Sequence, residues 1–324
     1  MPRTWTSEIA LASGGVALSV AAGALGAKLA GAVDGLGFTE AVRRFVAGGI
    51  SGAVAKTISA PLAAIKLKLQ CTEDDDEGAL DCARRIFERE GWQGFYRGNL
   101  ANVLGYFPTQ AFNFAFKDKI KRLMPKVDRK KHPWRALAVN VVAGGIAGAG
   151  SLSLVYPLDT ARTQLLICTN DDGSPKYANM ADFFRDWNGD VRRLYEGYVV
   201  SVAGIIPFRA IYFIVNDTLR AILPWIRDEG LKGIVSKFTC AQSAALCAAY
   251  ASYPFDTVRR RLQADAQRPL GERRYKGNLD CLKKIYRVEG VRALFRGAGY
   301  NALRTITSAL ALVAYGELKK RKRA

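Results

Sequence analysis

A chain of 324 residues with 48 lysines and arginines against 29 acids, net charge +19, suggests nucleic acid or an anionic membrane surface as partner. Hydrophobic residues make up 49% of it and gather in long runs with few charges. The bases lie between and beyond the runs, which speaks against nucleic acid and suits a membrane protein whose interior meets an anionic solute.

Residues 1–39 form an N-terminal extension. Within it 9–27 is nineteen residues without a charge, long enough to cross a bilayer at about 1.5 Å per residue. Its Ala, Gly and Ser content drives insertion weakly, so an extra membrane helix and a packing appendage both stay open. Arginine occurs there only at Arg3, which does not fit a transit peptide.

Three units follow, 40–131, 132–228 and 229–324. Each holds a proline-centred segment: Ser59-Ala60-Pro61-Leu62-Ala63-Ala64-Ile65-Lys66, Tyr156-Pro157-Leu158-Asp159-Thr160-Ala161-Arg162 and Tyr253-Pro254-Phe255-Asp256-Thr257-Val258-Arg259. The prolines fall 96 and 97 residues apart. In the second and third copies an acid precedes a base by three positions, which puts both on one helix face. The first copy keeps its base, Lys66, and has Ala63 at the acid position. Thirteen residues before each proline, a small residue recurs four positions on: Gly48/Gly52, Gly144/Gly148 and Ala241/Ala245. Such pairs let membrane helices approach closely, and each proline is expected to bend its helix.

After each proline segment comes a loop carrying a short amphipathic helix (near 80–88 in the first unit), with Cys82 and Cys281 expected to be small buried side chains on it. Then come Glu90-Gly91 and Tyr96-Arg97-Gly98, Glu289-Gly290 and Phe295-Arg296-Gly297. The second unit is degenerate, with Gly189-Asp190 reversed before Tyr195-Glu196-Gly197. A further apolar segment ends each unit. Residues 98–116 are uncharged, 198–216 carry only Arg209, and 298–316 carry only Arg304. With the uncharged 136–158 and 238–255, that predicts six transmembrane helices in three pairs. Lys56, Arg209 and Arg304 stand mid-span, where an unpaired base is costly and should face an interior cavity. Arg209 also fits a satisfied interhelical pair. The lone His132, and six cysteines with no CxxC or metal-ligand spacing, show no nucleophile–base or metal chemistry, so neither an enzyme nor a cofactor is expected.

The triplicated Pro-x-acid-x-x-base, loop helix, acid-Gly and aromatic-base-Gly pattern resembles the mitochondrial carrier family. Arg97-Gly98-Asn99-Leu100-Ala101-Asn102-Val103 and Tyr106-Phe107-Pro108-Thr109-Gln110-Ala111-Phe112-Asn113 are similar to its ADP/ATP-carrier branch. The resemblance implies an all-α membrane protein: six helices of threefold pseudosymmetry around one cavity in the mitochondrial inner membrane, exposing the site to either side alternately. It further implies adenine nucleotides as solutes and cardiolipin as a bound lipid. Lys56 and Arg304 match phosphate-binding positions, Gly204 and Ile205 an adenine-contacting pair, and Phe208 stands where a tyrosine is expected. The second helix's substrate arginine falls at Gly105. The branch's run of three arginines and three methionines reads Arg259-Arg260-Arg261-Leu262-Gln263-Ala264.

By the same resemblance the proline-motif charges close the matrix side, with Asp159 on Arg259, Asp256 on Lys66, and Arg162 facing Ala63. On the intermembrane side the pairs are Asp118/Lys121 and Asp217/Arg220. Lys319 has Gly316 at its acid position, and Glu317 lies about 100° round the helix from there. Three functions follow: weakened nucleotide exchange, transport of a different or smaller anion, or a carrier fold kept as a structural subunit of a respiratory-chain or ATP synthase assembly.

Overall fold

The computed structural model describes residues 49, 52–72, 78–109, 123, 125, 131–170, 174–187, 190–223, 231–268 and 271–301. Asp118, Lys121, Arg304, Gly316, Lys319 and the segment 9–27 lie outside the described residues. The described residues are helical, with one isolated bridge between Thr169 and Pro175.

The first unit has a helical stretch 52–58, then α1 (Ala60–Cys71) and α2 (Ala79–Tyr96), and a helical stretch 99–109. The second has α3 (Pro133–Ile167), α4 (Met180–Asp186), α5 (Val191–Leu194) and α6 (Tyr198–Ile222). The third has α7 (Leu231–Asp265), α8 (Asn278–Lys284), a π-turn (Ile285–Glu289) and α9 (Val291–Leu294), and begins a further helix at 298–301. Trp134–Ile167 and Val191–Ile222 are long and apolar enough to cross a membrane. At 35 residues, α3 and α7 are each about 50 Å long, well beyond the hydrocarbon core of roughly 30 Å.

The prolines act differently in the three units. Pro61 sits at the start of α1 after a turn at Ser59, where a missing N–H costs nothing, whereas Pro157 and Pro254 lie inside α3 and α7. Beyond each proline the helix presents an i, i+4 apolar pair, Ile65/Leu69, Ala161/Leu165 and Val258/Leu262, to its own loop helix. Cys82 and Ile86 of α2, Phe183 of α4, and Cys281 with Ile285 receive them, all at most 1% exposed. Each such aliphatic burial contributes about 1.5–3 kcal/mol, which is why the short loop helices stay ordered. The reversed Gly189-Asp190 has its own use: Asp190 caps α5, its Oδ1 accepting from Arg192 N at 3.0 Å.

Three glycines close the ring of units. Gly98, Gly197 and Gly297 adopt φ of 71°, 77° and 77°, conformations that suit glycine. A Cβ at Gly98 would stand 3.0 Å from Arg162 O, at Gly197 3.1 Å from Arg259 O, and at Gly297 3.3 Å from Lys66 O. Each unit's last helix thus starts against the proline-motif base of the next unit, cyclically. Within a unit the small residues bring the two long helices together: Gly52 faces Tyr106, and Gly144 and Gly148 face Arg209 and Ile205. In the third unit Ala244 and Ala248 of α7 are fully buried, each three positions beyond the expected pair.

Candidate functional site

A cavity of about 380 Å³ is lined by Gly204, Ile205, Phe208 and Arg209 of α6 and by Lys66, Asp256, Arg259 and Arg260. Gly204 is placed by packing, since a Cβ there would lie 2.9 Å from Phe255 Cβ. Phe208 stacks on Tyr212 one turn on, with centroids 6.4 Å apart and planes 9° apart.

The cavity floor is an ion network between α1, α3 and α7. Lys66 Nζ lies 2.7 Å from Asp256 Oδ2, and Arg259 Nη2 lies 2.6 Å from Asp159 Oδ2. Tyrosines preceding two of the prolines back these bases: Lys66 Nζ stands 5.0 Å from the centre of the Tyr253 ring, and the Arg259 guanidinium 4.9 Å from that of Tyr156, a cation–π arrangement. The same tyrosines donate through Oη to Arg296 O and Glu196 O, both at 2.8 Å. Thr160 and Thr257 donate to Leu194 O and Leu294 O at 2.7 and 2.8 Å. At the equivalent places the first unit has Ala60 and Ala64, which cannot make these bonds.

Sequence reasoning missed the residue that ties the network together. Arg260 Nη1 lies 2.8 Å from Asp159 Oδ2 and its Nε 3.7 Å from Asp256 Oδ1, so it spans both carboxylates. It also donates to Thr163 Oγ1 at 2.6 Å and Gln263 Oε1 at 3.0 Å. Gln70 Nε2 donates to Asp256 at 3.2 Å and Gln263 Nε2 to Asp159 at 3.1 Å. The available signal was periodicity: Gln70 and Gln263 each stand nine residues after a motif proline. Three successive arginines point about 100° apart on a helix. Arg261, accordingly, turns away to Glu289 at 2.7 Å and to the carbonyls of Gln70 and Thr72. Lys68 meets Glu90 in the first unit at 2.8 Å. The second unit has Gln164 in place of that base and the reversed Gly189-Asp190 in place of the acid, so both members of the pair are lost together. Gln164 instead donates to Gln263 O at 3.1 Å.

Lys56 is not among the residues lining this cavity. Its Nζ donates to Asn102 Oδ1 at 2.8 Å and Asn102 O at 3.1 Å and lies 5.1 Å from the Tyr106 ring centre. Gly105 is packed against α3, where a Cβ would stand 2.8 Å from Val155 Cγ1; the stretch 99–109 has closed up where a cation was expected. Arg162, a turn beyond Asp159, carries Gly98 against its backbone and stem. Asp217 is half-buried near the end of α6, and Arg220 is exposed in its last turn, a favourable place for a cation on the helix dipole. Beyond the network the ends of α1, α3 and α7 surround a second cavity of about 700 Å³, lined among others by Cys71, Cys168, Lys176, Arg261 and Arg274.

The sequence matches the mitochondrial carrier protein family three times, over residues 38–128, 133–226 and 231–323. It is 44% identical over 292 residues to the ADP,ATP carrier protein of Parachlorella kessleri, covering 86% of this chain and 84% of that one. It is also 44% identical over 288 residues to human ADP/ATP translocase 3, covering 85% and 96%, and over 287 residues to mouse ADP/ATP translocase 4, covering 85% and 88%. The cyclic seating of three glycines, the three equivalent loop cores and the threefold sequence match have one explanation: the chain belongs to the mitochondrial carrier protein family.

Proposed function

We propose that this chain is an ADP/ATP-carrier-like antiporter that exchanges ADP and ATP across the mitochondrial inner membrane by alternating access, with weakened activity. The observation that carries this reading is the cavity whose floor is the Asp159–Arg259–Arg260–Asp256–Lys66 network. It offers several cations to a polyphosphate, and opening it to the matrix requires only the exchange of ion-pair partners. Leaving one of these mostly buried charges without a partner costs about 3–5 kcal/mol, so turnover exchanges partners rather than orphaning a charge. In this reading Gly204, Ile205 and Phe208 receive adenine, and Lys56 and Arg304 receive phosphate, Lys56 leaving Asn102 to do so. Lys66, Asp159, Arg162, Asp256 and Arg259 form the matrix-side gate; Asp118, Lys121, Asp217, Arg220 and Lys319 form the opposite one. Cardiolipin phosphates would take the uncapped helix starts at Gly98, Gly197 and Gly297, where backbone N–H groups favour anions.

A second reading, transport of a smaller anion, is favoured by Gly105, which leaves that wall without a cation. The two separate in a thermal-stability panel on the purified protein, because a ligand that binds only the folded form raises its stability by about 2.7 kcal/mol at a hundred times its Kd. Adenine nucleotides should raise the midpoint most. Stabilisation by small dicarboxylates or inorganic phosphate with none by ADP would replace this reading with the second.

A further inference from the structure

Cys71 ends α1 and Cys168 follows the last residue of α3. Both stand in the wall of the second cavity, of about 700 Å³, beyond the ion network. Their helices pack on each other: Ala64 and Leu67, the latter one turn before Cys71, form a buried cluster with Leu166, and Ile167, the neighbour of Cys168, packs against it. Both helix ends also converge on α7, where Arg261 donates to Gln70 O at 2.7 Å and Gln164 donates to Gln263 O at 3.1 Å. Burial raises the Cys168 pKa to about 12, and the Cys71 sulfur adds to the rise, an influence that acts at close range. The remaining cysteines are placed otherwise. Cys82 and Cys281 are enclosed in separate loop-helix cores; Cys240 is buried and Cys247 exposed on α7.

Ion pairs close the other two seams: Lys66–Asp256 joins α1 to α7, and Arg259–Asp159 joins α3 to α7. At the α1–α3 seam the acid that the repeat supplies elsewhere is replaced by Ala63, and the apolar cluster meets there. We infer that Cys71 and Cys168 form a disulfide when the protein meets a hydroperoxide, and that this bond holds the ends of α1 and α3 together. Cys71 is the thiol that reacts first, because it is only partly buried and shares its wall with the cation Arg261, which favours the thiolate. Its sulfur attacks one oxygen of hydrogen peroxide, the O–O bond breaks, and a sulfenic acid forms with release of water. The Cys168 sulfur then attacks that of Cys71, making the S–S bond and releasing a second water. The two thiols lose two electrons and two protons, and the peroxide is reduced to two waters. Burial keeps Cys168 protonated, so closure is slow and answers sustained exposure. The consequence for exchange rests on the function proposed above, since a carrier that exposes its site to either side alternately must part these helix ends.

The test exposes the full-length protein in liposomes to hydrogen peroxide and blocks the remaining thiols with N-ethylmaleimide. Disulfides are then mapped by mass spectrometry after digestion with trypsin and a protease that cuts at acidic residues, which separates Cys71 from Cys82. Peptides joined through Cys71 and Cys168, and split by dithiothreitol, are expected in the wild type and not in Cys71→Ser or Cys168→Ser. Oxidation should raise the unfolding midpoint of the wild type, because the link closes a long loop of the unfolded chain, and leave both variants unmoved. ADP exchange should fall about fivefold or more in the oxidised wild type, recover with dithiothreitol, and stay unchanged in both variants. Cys71 and Cys168 oxidised singly, paired with other cysteines, or left reduced at a dose that oxidises Cys247 would overturn the inference, as would a linked protein with an unchanged midpoint. Undiminished exchange by the linked protein would uphold the bond and overturn the gate assigned above. If the untreated protein exchanges no ADP, the nucleotide reading falls, while the joined peptides with a raised midpoint still uphold the inference.

Discussion

Replacing Asp159 by alanine should be among the most destabilising single changes in the ion network, and Arg260→Met a much milder one. Asp159 accepts from Arg259 at 2.6 Å, from Arg260 at 2.8 Å and from Gln263 at 3.1 Å. Without it two guanidiniums face each other, and the nearest carboxylate, Asp256, is already held by Lys66. Leaving a mostly buried charge without its partner costs about 3–5 kcal/mol. Arg260→Met removes the third base from two acids, so Lys66–Asp256 and Arg259–Asp159 remain one to one; the loss is that of charge-assisted hydrogen bonds, about 1.5–3 kcal/mol. In the double variant only Arg259 is orphaned, so the two costs should fall short of additivity by about 1 kcal/mol or more. Cys82, Cys240 and Cys281 are buried thiols and Cys247 an exposed one, so in a Cys247→Ser background a thiol-reactive fluorophore reports unfolding of the detergent-solubilised protein. Equal costs for the two single variants, or full additivity, would refute the bridging role of Arg260.

Gly105→Arg should fail to raise anion affinity on its own, because its Cβ meets Val155 Cγ1 at 2.8 Å; Gly105→Arg with Val155→Ala should do so, measured by ligand-dependent thermal stability. Gly297→Ala should cost more than Gly290→Ala in unfolding midpoint. Both have positive φ, which strains a non-glycine residue by about 1–3 kcal/mol, but a Cβ at 297 also meets Tyr253 Oη at 3.1 Å while one at 290 meets nothing within 4 Å. Burial, aided by a hydrogen bond to Asp186, raises the Tyr177 pKa above its ordinary 10.0. The folded protein therefore keeps this proton where the unfolded chain loses it. The resulting stabilisation is complete below pH 10 and declines as pH rises beyond it, and Tyr177→Phe should flatten that part of the stability–pH curve relative to wild type.

The features legible in the sequence were those that repeat. The proline motifs and the loop helices followed from spacing, because a threefold chain states each rule more than once; the cross-unit partners of Lys66 and Arg259 followed from the family resemblance alone. What escaped was local to one copy. Arg260 looked like a neighbour of a gate residue, and its position across two carboxylates depends on how α3 and α7 approach each other. Gly105 read as a vacant phosphate position, but the space left by a missing side chain was taken up by Val155. Arg209 also fitted a satisfied interhelical pair in sequence; whether a carboxylate reaches it is a matter of packing between α3 and α6. The short loop helix expected near 80–88 is the first part of α2, which Gly91, at φ 62°, divides by a kink from a second short helix.

The central claim, that this carrier exchanges adenine nucleotides with reduced strength, is tested most directly by reconstitution. Liposomes loaded with ADP and carrying the full-length protein are given labelled ADP outside, beside vesicles carrying human ADP/ATP translocase 3. Loss of one charge-assisted phosphate contact, about 1.5–3 kcal/mol, corresponds to roughly one to two orders of magnitude in affinity. Uptake should need internal ADP, with an apparent KM about ten times that of the comparison protein or higher. Uptake no greater than in protein-free vesicles would contradict nucleotide exchange; uptake matching the translocase in KM would contradict the weakening.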